Sequence, residues 1–380
     1  MSNGRQAKGR NAGIDLVKIL AIALIVISHV IQTLYDTDVM VNFKDYMLQL
    51  GHAAADVQLV ILMILRQGGV LGNTIFFVCS AWFLIGRQDT ARRKSFQILA
   101  VVWTISMLSL CFYLVFWPSC LTVKAVIKSI FPTCLSNNWY MTCYIIFLFI
   151  YPWLNRLISN VSQRELLRIV LFSSALWIVI NWVRPKWFFP STLILWASIY
   201  FLIAYLRLYC PALLSNIRLG YALIAAGLFV YVAQVVVTNY LGLYVIGSLS
   251  DKVLMWASNC SPFNIMIAVG AMIVASRADL KSKMVTRLSG LSMLVYLIHE
   301  NYLLRYTARP TVWQWLYTTV GYSYVVWLAL GFSLVLLVAS AAVALAFQVT
   351  LQPVVVSLAN RLFGRIAAVY SQVERRLLGE

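Results

Sequence analysis

Apolar residues in this chain come in long unbroken runs, and polar residues gather in the short stretches between them. Residues 13–30 read "GIDLVKILAIALIVISHV", and runs of this kind recur to residue 350. None alternates with period two, so the runs predict helices rather than strands. Ten runs of about twenty residues are long enough to cross a bilayer core. They fall near 14–34, 68–86, 96–117, 138–157, 167–183, 191–209, 219–240, 253–275, 288–307 and 322–350. Segment 46–66 is apolar but interrupted by His52, Asp56 and Arg66, which predicts an outer-surface or re-entrant helix. After Pro353 the spacing changes. Leu358, Leu362, Ile366, Val369, Val373 and Leu377 recur every three or four residues with arginines mostly between them, the pattern of an amphipathic helix on an anionic inner leaflet. The expected organisation is a transmembrane domain over 1–352 and a basic amphipathic tail over 353–380.

Composition supports this all-α, polytopic reading. Of 380 residues, 62% are hydrophobic and 11% are charged, far from the quarter charged that is usual for soluble domains. Within hydrocarbon every backbone polar group needs an internal partner, which leaves helices or closed barrels. A net charge of +18 invites a nucleic-acid reading, but the basic residues are scattered through short loops. If the N-terminus is cytoplasmic, the inner segments hold 21 of the 30 Lys and Arg. This matches ten spans with both termini inside. The first run lacks a small-residue cleavage site after His29 and reads as a retained anchor rather than a signal peptide. Seven dispersed cysteines form no CxxC pair and no zinc pattern. Cys120 and Cys134 share an expected outer loop, where loose thiols are the favoured reading over a disulfide.

Some residues are out of place in such runs. Lys18 and His29 are eleven residues apart, close to three helical turns, and so share one face with a rise of about 16 Å. That stripe joins a cation at the inner surface to an imidazole deep in the membrane, over a length comparable to an extended pantetheine arm. The structural alternative is that Lys18 snorkels to head groups and His29 bonds a neighbouring helix. Asp15 lies one turn before Lys18 and is placed to pair with it. In the ninth run, "LSMLVYLIHENYLLRY", His299 and Glu300 fall mid-span at the depth of His29, and Arg305 nears the outer end. Two imidazoles and a carboxylate at one depth suit proton handling or a helix-joining polar network. On a continuous helix His299 and Glu300 point about 100° apart and cannot both face one partner. Arg87, Arg92, Arg93 and Lys94 form the densest inner basic loop, suited to topogenesis or to nucleotide phosphates. His52 has no catalytic place in this scheme, though it is positioned to touch an external acceptor.

The first run resembles the opening span of the acyltransferase-3 family of integral membrane O-acyltransferases, with a basic residue, ten residues, then histidine: Lys18 and His29. "IFFVCSAWFLIGR" is similar to that family's second-span FF-x-x-SG-[FY] stretch through Phe76, Phe77 and Ser80, with Ala81 in place of glycine. "NNWYMTCYIIFLFIYPWLN" resembles its fourth span through Trp139, Tyr144, Pro152 and Leu154. "IYFLIAYLRLY" and "VYLIHENYLLR" resemble segments of members that decorate bacterial surface polysaccharides. The resemblance implies transfer of an acyl group, usually acetyl, from cytoplasmic acetyl-CoA or another acyl-CoA to a carbohydrate hydroxyl. It implies a multi-pass protein of the cell membrane, with separate polysaccharide assembly machinery as a candidate partner.

The expected chemistry follows. Lys18, Arg87, Arg92 and Arg93 hold CoA phosphates. His29 is a general base or a transient acyl carrier. His299 positions the base or the oxyanion, and Glu300 joins the cluster. Trp139, Tyr140 and Tyr144 offer aromatic surface for a sugar or form an interfacial belt. No metal and no nucleic acid are expected. The competing classes are a transporter or flippase of a lipid-linked saccharide, weakened by the lack of a half-to-half repeat, and an assembly factor without catalysis.

Overall fold

The computed structural model describes residues 11–35, 52–87, 92–134, 138–180, 192–246, 261–321 and 323–378. Among the described residues there are fourteen α-helices and no strand. Seven helices are long and apolar enough to cross a membrane. They are α1 (Ala12–Tyr35), α2 (His52–Leu84), α3 (Arg92–Phe116), α5 (Trp139–Asn160), α7 (Thr192–Tyr209), α9 (Ile217–Tyr244) and α13 (Val325–Thr350). Between them lie α4 (Val123–Ile130), α6 (Gln163–Ser173, continued by a π segment Ser174–Ile180), α8 (Pro211–Ser215), α10 (Pro262–Arg277), α11 (Lys283–His299) and α12 (Arg309–Val320). The chain closes on α14 (Gln352–Leu378). The N-terminal basic residues Arg5, Lys8 and Arg10, residues 253–260 of the eighth expected span, and the side chains of His52, Asp56, Arg375 and Arg376 lie outside this description.

Segment 46–66 is corrected over its described part. Residues from His52 belong to one continuous helix with the second span. Its middle is polar, but the polarity is absorbed locally. Tyr231 donates to the Ile64 carbonyl at 2.6 Å, and Ser28 donates to the Arg66 carbonyl. The glycines that follow let α1 lie against α2. A Cβ on Gly72 would meet the Ala21 carbonyl oxygen at 2.6 Å, and one on Gly69 would run into Ser28 Oγ. Backbone contact this close is how membrane helices associate without a hydrophobic drive.

Helix α1 is central and packs on α2, α10, α11 and α13. Large apolar side chains such as Phe112, Trp153, Phe229 and Trp327 stay exposed at the rim, as expected where lipid is the solvent. Buried Asn155 donates to the Leu84 and Arg87 carbonyls at 3.0 and 2.9 Å and accepts from Tyr200 at 2.7 Å. It thereby satisfies carbonyls at the C-terminal end of α2. Helix α6 opens with a capping box. The Ser162 hydroxyl and backbone amide donate to Glu165 and hold its carboxyl below the usual range.

The tail helix α14 docks along the start of α3. Arg93 Nε and Gln97 Nε2 each donate to Asn360 Oδ1 at 2.8 Å, and the Phe96 and Phe363 rings lie 5.9 Å apart. Its apolar stripe at Leu358, Leu362, Ile366 and Val369 remains exposed.

Candidate functional site

The ninth expected span does not continue through residue 307. Helix α11 ends at His299, and Glu300 leaves helical geometry at φ −99°, ψ 11°. Asn301 explains the break. Its Oδ1 accepts from Leu303 N at 3.1 Å and from Ser109 Oγ at 2.8 Å, an alternative to the helix ladder. A π turn at Leu304–Ala308 and Pro310 in the first turn of α12 then redirect the chain.

This break removes the 100° constraint. His299 Nε2 and Glu300 Oε2 both lie 3.0 Å from His29 Nδ1. The rings of the two histidines stack at 5.2 Å. His299 is fully buried and Glu300 nearly so. His299 Nδ1 lies 2.7 Å from the Val295 carbonyl, which can only accept. Neutral His299 therefore carries its proton on Nδ1 and presents Nε2 as an acceptor. His29 Nδ1 must then be the donor toward His299 and Glu300, which leaves His29 Nε2 with the lone pair. A histidine fixed in this tautomer has the form of a general base.

Glu300 is itself pinned. Arg305 Nη1 pairs with Oε1, and Arg309 Nη2 with Oε2 at 3.0 Å. Arg309 is as buried as the carboxylate, and its Nε and Nη1 have no hydrogen-bond partner among the described residues. The next turn of α12 fastens this assembly to α1, where Trp313 Nε1 donates to the Val30 carbonyl at 2.9 Å. Arg309 was not legible as a site residue. Its sequence signal is Arg305 and Arg309 spaced one turn apart before Pro310 within an otherwise apolar stretch.

His29, His299 and Glu300 offer ligand atoms within 4.8 Å of one another, spacing that suits a metal ion. The donor chemistry fits a cation poorly. Both Glu300 oxygens already hold a guanidinium, and two positive charges beside the site repel a third.

On the other side lies a cavity of about 330 Å³, within the usual size range for ligand pockets. Lys18 and Lys94 line one part of it, and Ile25, Tyr140 and Tyr296 line another. Ile25 is one turn before His29, and the Tyr296 ring sits 6.4 Å from the His29 ring. The lining does not include His29 itself. Asn73 Oδ1, Ser292 Oγ and Gln352 Oε1 line the cavity without a hydrogen-bond partner among the described residues, and Asn73 and Ser292 are more than nine-tenths buried. Buried polar atoms left this way are costly, so the wall is suited to a polar ligand.

The expected phosphate set divides. Lys18 lines the cavity, pairs with Asp15 at 3.9 Å and lies over the Phe83 ring. Asp15 also accepts from Ser289 at 2.8 Å. Arg87, Arg92 and Arg93 do not line it. Arg93 is engaged by α14, and the Arg87 and Arg92 side chains are exposed. Lys94 and Gln97 take the place at the mouth because they face inward on the first turns of α3. Tyr140 and Tyr144 also line this cavity, and Trp139 packs on Tyr140. Of the motif residues, Phe76 and Ser80 also line the cavity. Ser80 hydrogen-bonds Tyr144, and Phe77 stacks on Trp196 at 4.4 Å and meets Phe147 edge-on. Cys120 and Cys134 are free thiols.

Neither the curated proteins nor the solved structures yield a match to the chain. A family model described as an acyltransferase domain matches residues 11–347, taking in both Lys18 and the His29–His299–Glu300 cluster, and the chain belongs to this acyltransferase-3 family of membrane acyltransferases.

Proposed function

We propose that the protein moves an acyl group, acetyl in the simplest case, from cytoplasmic acyl-CoA to a hydroxyl of an exported or cell-surface carbohydrate. It does so as a multi-pass protein of the bacterial plasma membrane with both termini in the cytoplasm. The observation that carries this reading is the tautomer lock on His29 beside a cavity with unpartnered polar walls.

Acyl-CoA enters at the Lys18 and Lys94 mouth, where two ammonium groups meet its phosphates. The amides of the pantetheine arm pair with Asn73, Ser292 and Gln352. The thioester arrives at Tyr140 and Tyr296, next to His29. His29 Nε2 removes the proton of the acceptor hydroxyl as its oxygen attacks the thioester carbonyl. The new C–O bond forms and the C–S bond breaks. The thiolate takes the proton from the imidazolium, giving the ester, free CoA and neutral His29. Glu300 stabilises the imidazolium at Nδ1, and Arg305 and Arg309 hold the Glu300 carboxyl in position. His299 is a positioning residue in this scheme.

The test uses membranes carrying wild-type protein or His29→Ala, radiolabelled acetyl-CoA, and cell-surface glycan isolated from the same strain. Label should reach glycan only with His29 present. Saccharide movement across vesicles without any acetyl transfer would replace this reading with a transporter.

A further inference from the structure

Acyl transfer develops a charge that the His29 cluster does not answer. As a hydroxyl oxygen attacks a thioester, the carbonyl oxygen becomes an oxyanion, and donors already aimed at that oxygen supply much of the catalysis. The groups around His29 are committed elsewhere. The His299 ring proton faces the Val295 carbonyl at 2.7 Å, and the other ring nitrogen accepts from His29. Arg305 and Arg309 hold Glu300, and neither lines the cavity beside Lys18.

Two tyrosines stand where that donor is needed. Tyr140 and Tyr296 both line the cavity, and both are buried. Their ring centres are 5.8 Å apart. The Tyr296 ring lies 6.4 Å from that of His29 and meets the His299 ring edge-on at 5.8 Å. Both rings are held in place. Tyr140 packs on Trp196 at 5.0 Å, and Trp196 in turn stacks on Phe77. Tyr296 is one turn before Glu300, whose amide donates to the Tyr296 carbonyl at 3.1 Å. The hydroxyls are not held. Neither makes a hydrogen bond among the described residues, although a buried tyrosine ordinarily finds a partner for its O–H. Tyr200 shows the ordinary case with Asn155 at 2.7 Å, as does Tyr231 with the Ile64 carbonyl at 2.6 Å. So does Tyr144, on the same cavity wall, with Ser80.

We propose that the Tyr296 hydroxyl, with that of Tyr140 beside it, forms the oxyanion hole for the thioester; this rests on the acyl-transfer reading. As the acceptor oxygen bonds to the carbonyl carbon, the carbonyl electron pair moves onto its oxygen. The two O–H groups donate hydrogen bonds to that oxygen and keep their protons. When the C=O bond re-forms, the C–S bond breaks, and the thiolate takes the proton from the His29 imidazolium. A neutral thioester oxygen is a weak acceptor, so these bonds strengthen in the transition state and act on turnover more than on donor binding.

The test uses Tyr296→Phe, Tyr140→Phe and the double variant, which keep the rings and remove only the hydroxyls. Transfer from radiolabelled acetyl-CoA to surface glycan is followed over a range of acetyl-CoA concentrations. Tyr296→Phe should lower kcat by about 10²-fold with the KM for acetyl-CoA and the melting temperature held, and the double variant should be slower still. A second measurement needs no turnover. S-trifluoroacetonyl-CoA, whose hydrated ketone imitates the tetrahedral centre, should bind Tyr296→Phe about tenfold more weakly than wild type, while the affinity for CoA itself stays the same. Wild-type kcat in the double variant overturns the proposal. So does a raised KM with kcat held, which makes the hydroxyls contacts of the CoA arm, or an equal loss of CoA and analogue binding with a lower melting temperature, which makes them structural. Full activity in the Phe variants alongside a dead His29→Ala removes the oxyanion role alone. Wild-type protein that transfers no acetyl group removes the acyl-transfer reading and the oxyanion role together.

Discussion

Helix α1 passes between two polar regions built in opposite ways. Around Glu300 the groups are charged and close, with two arginines on one carboxylate and two histidines beside it, and two Arg309 nitrogens left without a partner among the described residues. Around Lys18 the groups are mostly neutral amides and hydroxyls spread over an open cavity, and several have no partner. A buried ionic network is costly to assemble and costlier to break. It suits a part that must hold one geometry through a reaction. Orphaned neutral groups tolerate exchange with water or with a ligand's amides. They suit a part that fills and empties in each cycle. The comparison sets a closely paired ionic centre against a cavity with unpartnered polar walls, both along one helix.

Predictions that break or sharpen this contrast run from the rigid side to the open one. His29→Ala should lower acyl transfer by about 10²–10⁴-fold with unchanged elution on size exclusion. Transfer within a few-fold of wild type would end the catalytic assignment. Glu300→Ala strands Arg309 as an uncompensated buried charge. It should destabilise the protein by about 3–5 kcal/mol, read as a lower melting temperature in detergent. If the melting curve does not move, the network is not rigid in the sense argued here. Asn73→Ala and Ser292→Ala should each leave melting near wild type and raise the KM for acetyl-CoA about two- to tenfold, the range of a single hydrogen bond, with kcat held. An effect on acceptor use alone would place these residues elsewhere in the cycle. The smallest effect belongs to the exposed cap of α6. The Glu165 carboxyl is held low, so the stability it contributes is present above the ordinary carboxylate range and is lost as pH falls through its depressed value. Glu165→Gln should therefore flatten the acid limb of the melting profile and leave activity near neutral pH alone.

Sequence patterning located most of the helices because their periods are local. Runs of about twenty apolar residues need no tertiary information to be read as spans. The eleven-residue spacing of Lys18 and His29 likewise fixed a shared face, and both residues turn toward α11 and its neighbours. What local pattern could not foresee was where a helix stops for a tertiary reason. Residues 288–307 have the hydropathy of one span, yet Asn301 and its bond to Ser109 on α3 end it at His299. The same limitation hid the continuity of α2. Arg66 and its polar neighbours look like an interruption until Tyr231 and Ser28 are seen satisfying the backbone there.

Amino-acid order alone determined the all-α membrane character, the family and the common depth of His29, His299 and Glu300, because hydropathy and motif spacing are properties of the chain itself. Tertiary structure decided that His299 and Glu300 meet the same nitrogen of His29, that Arg309 belongs with them, and that Lys94 rather than Arg93 lines the cavity. Each of these depends on which way a side chain points after a helix ends or docks, and that direction is set by partners distant in sequence.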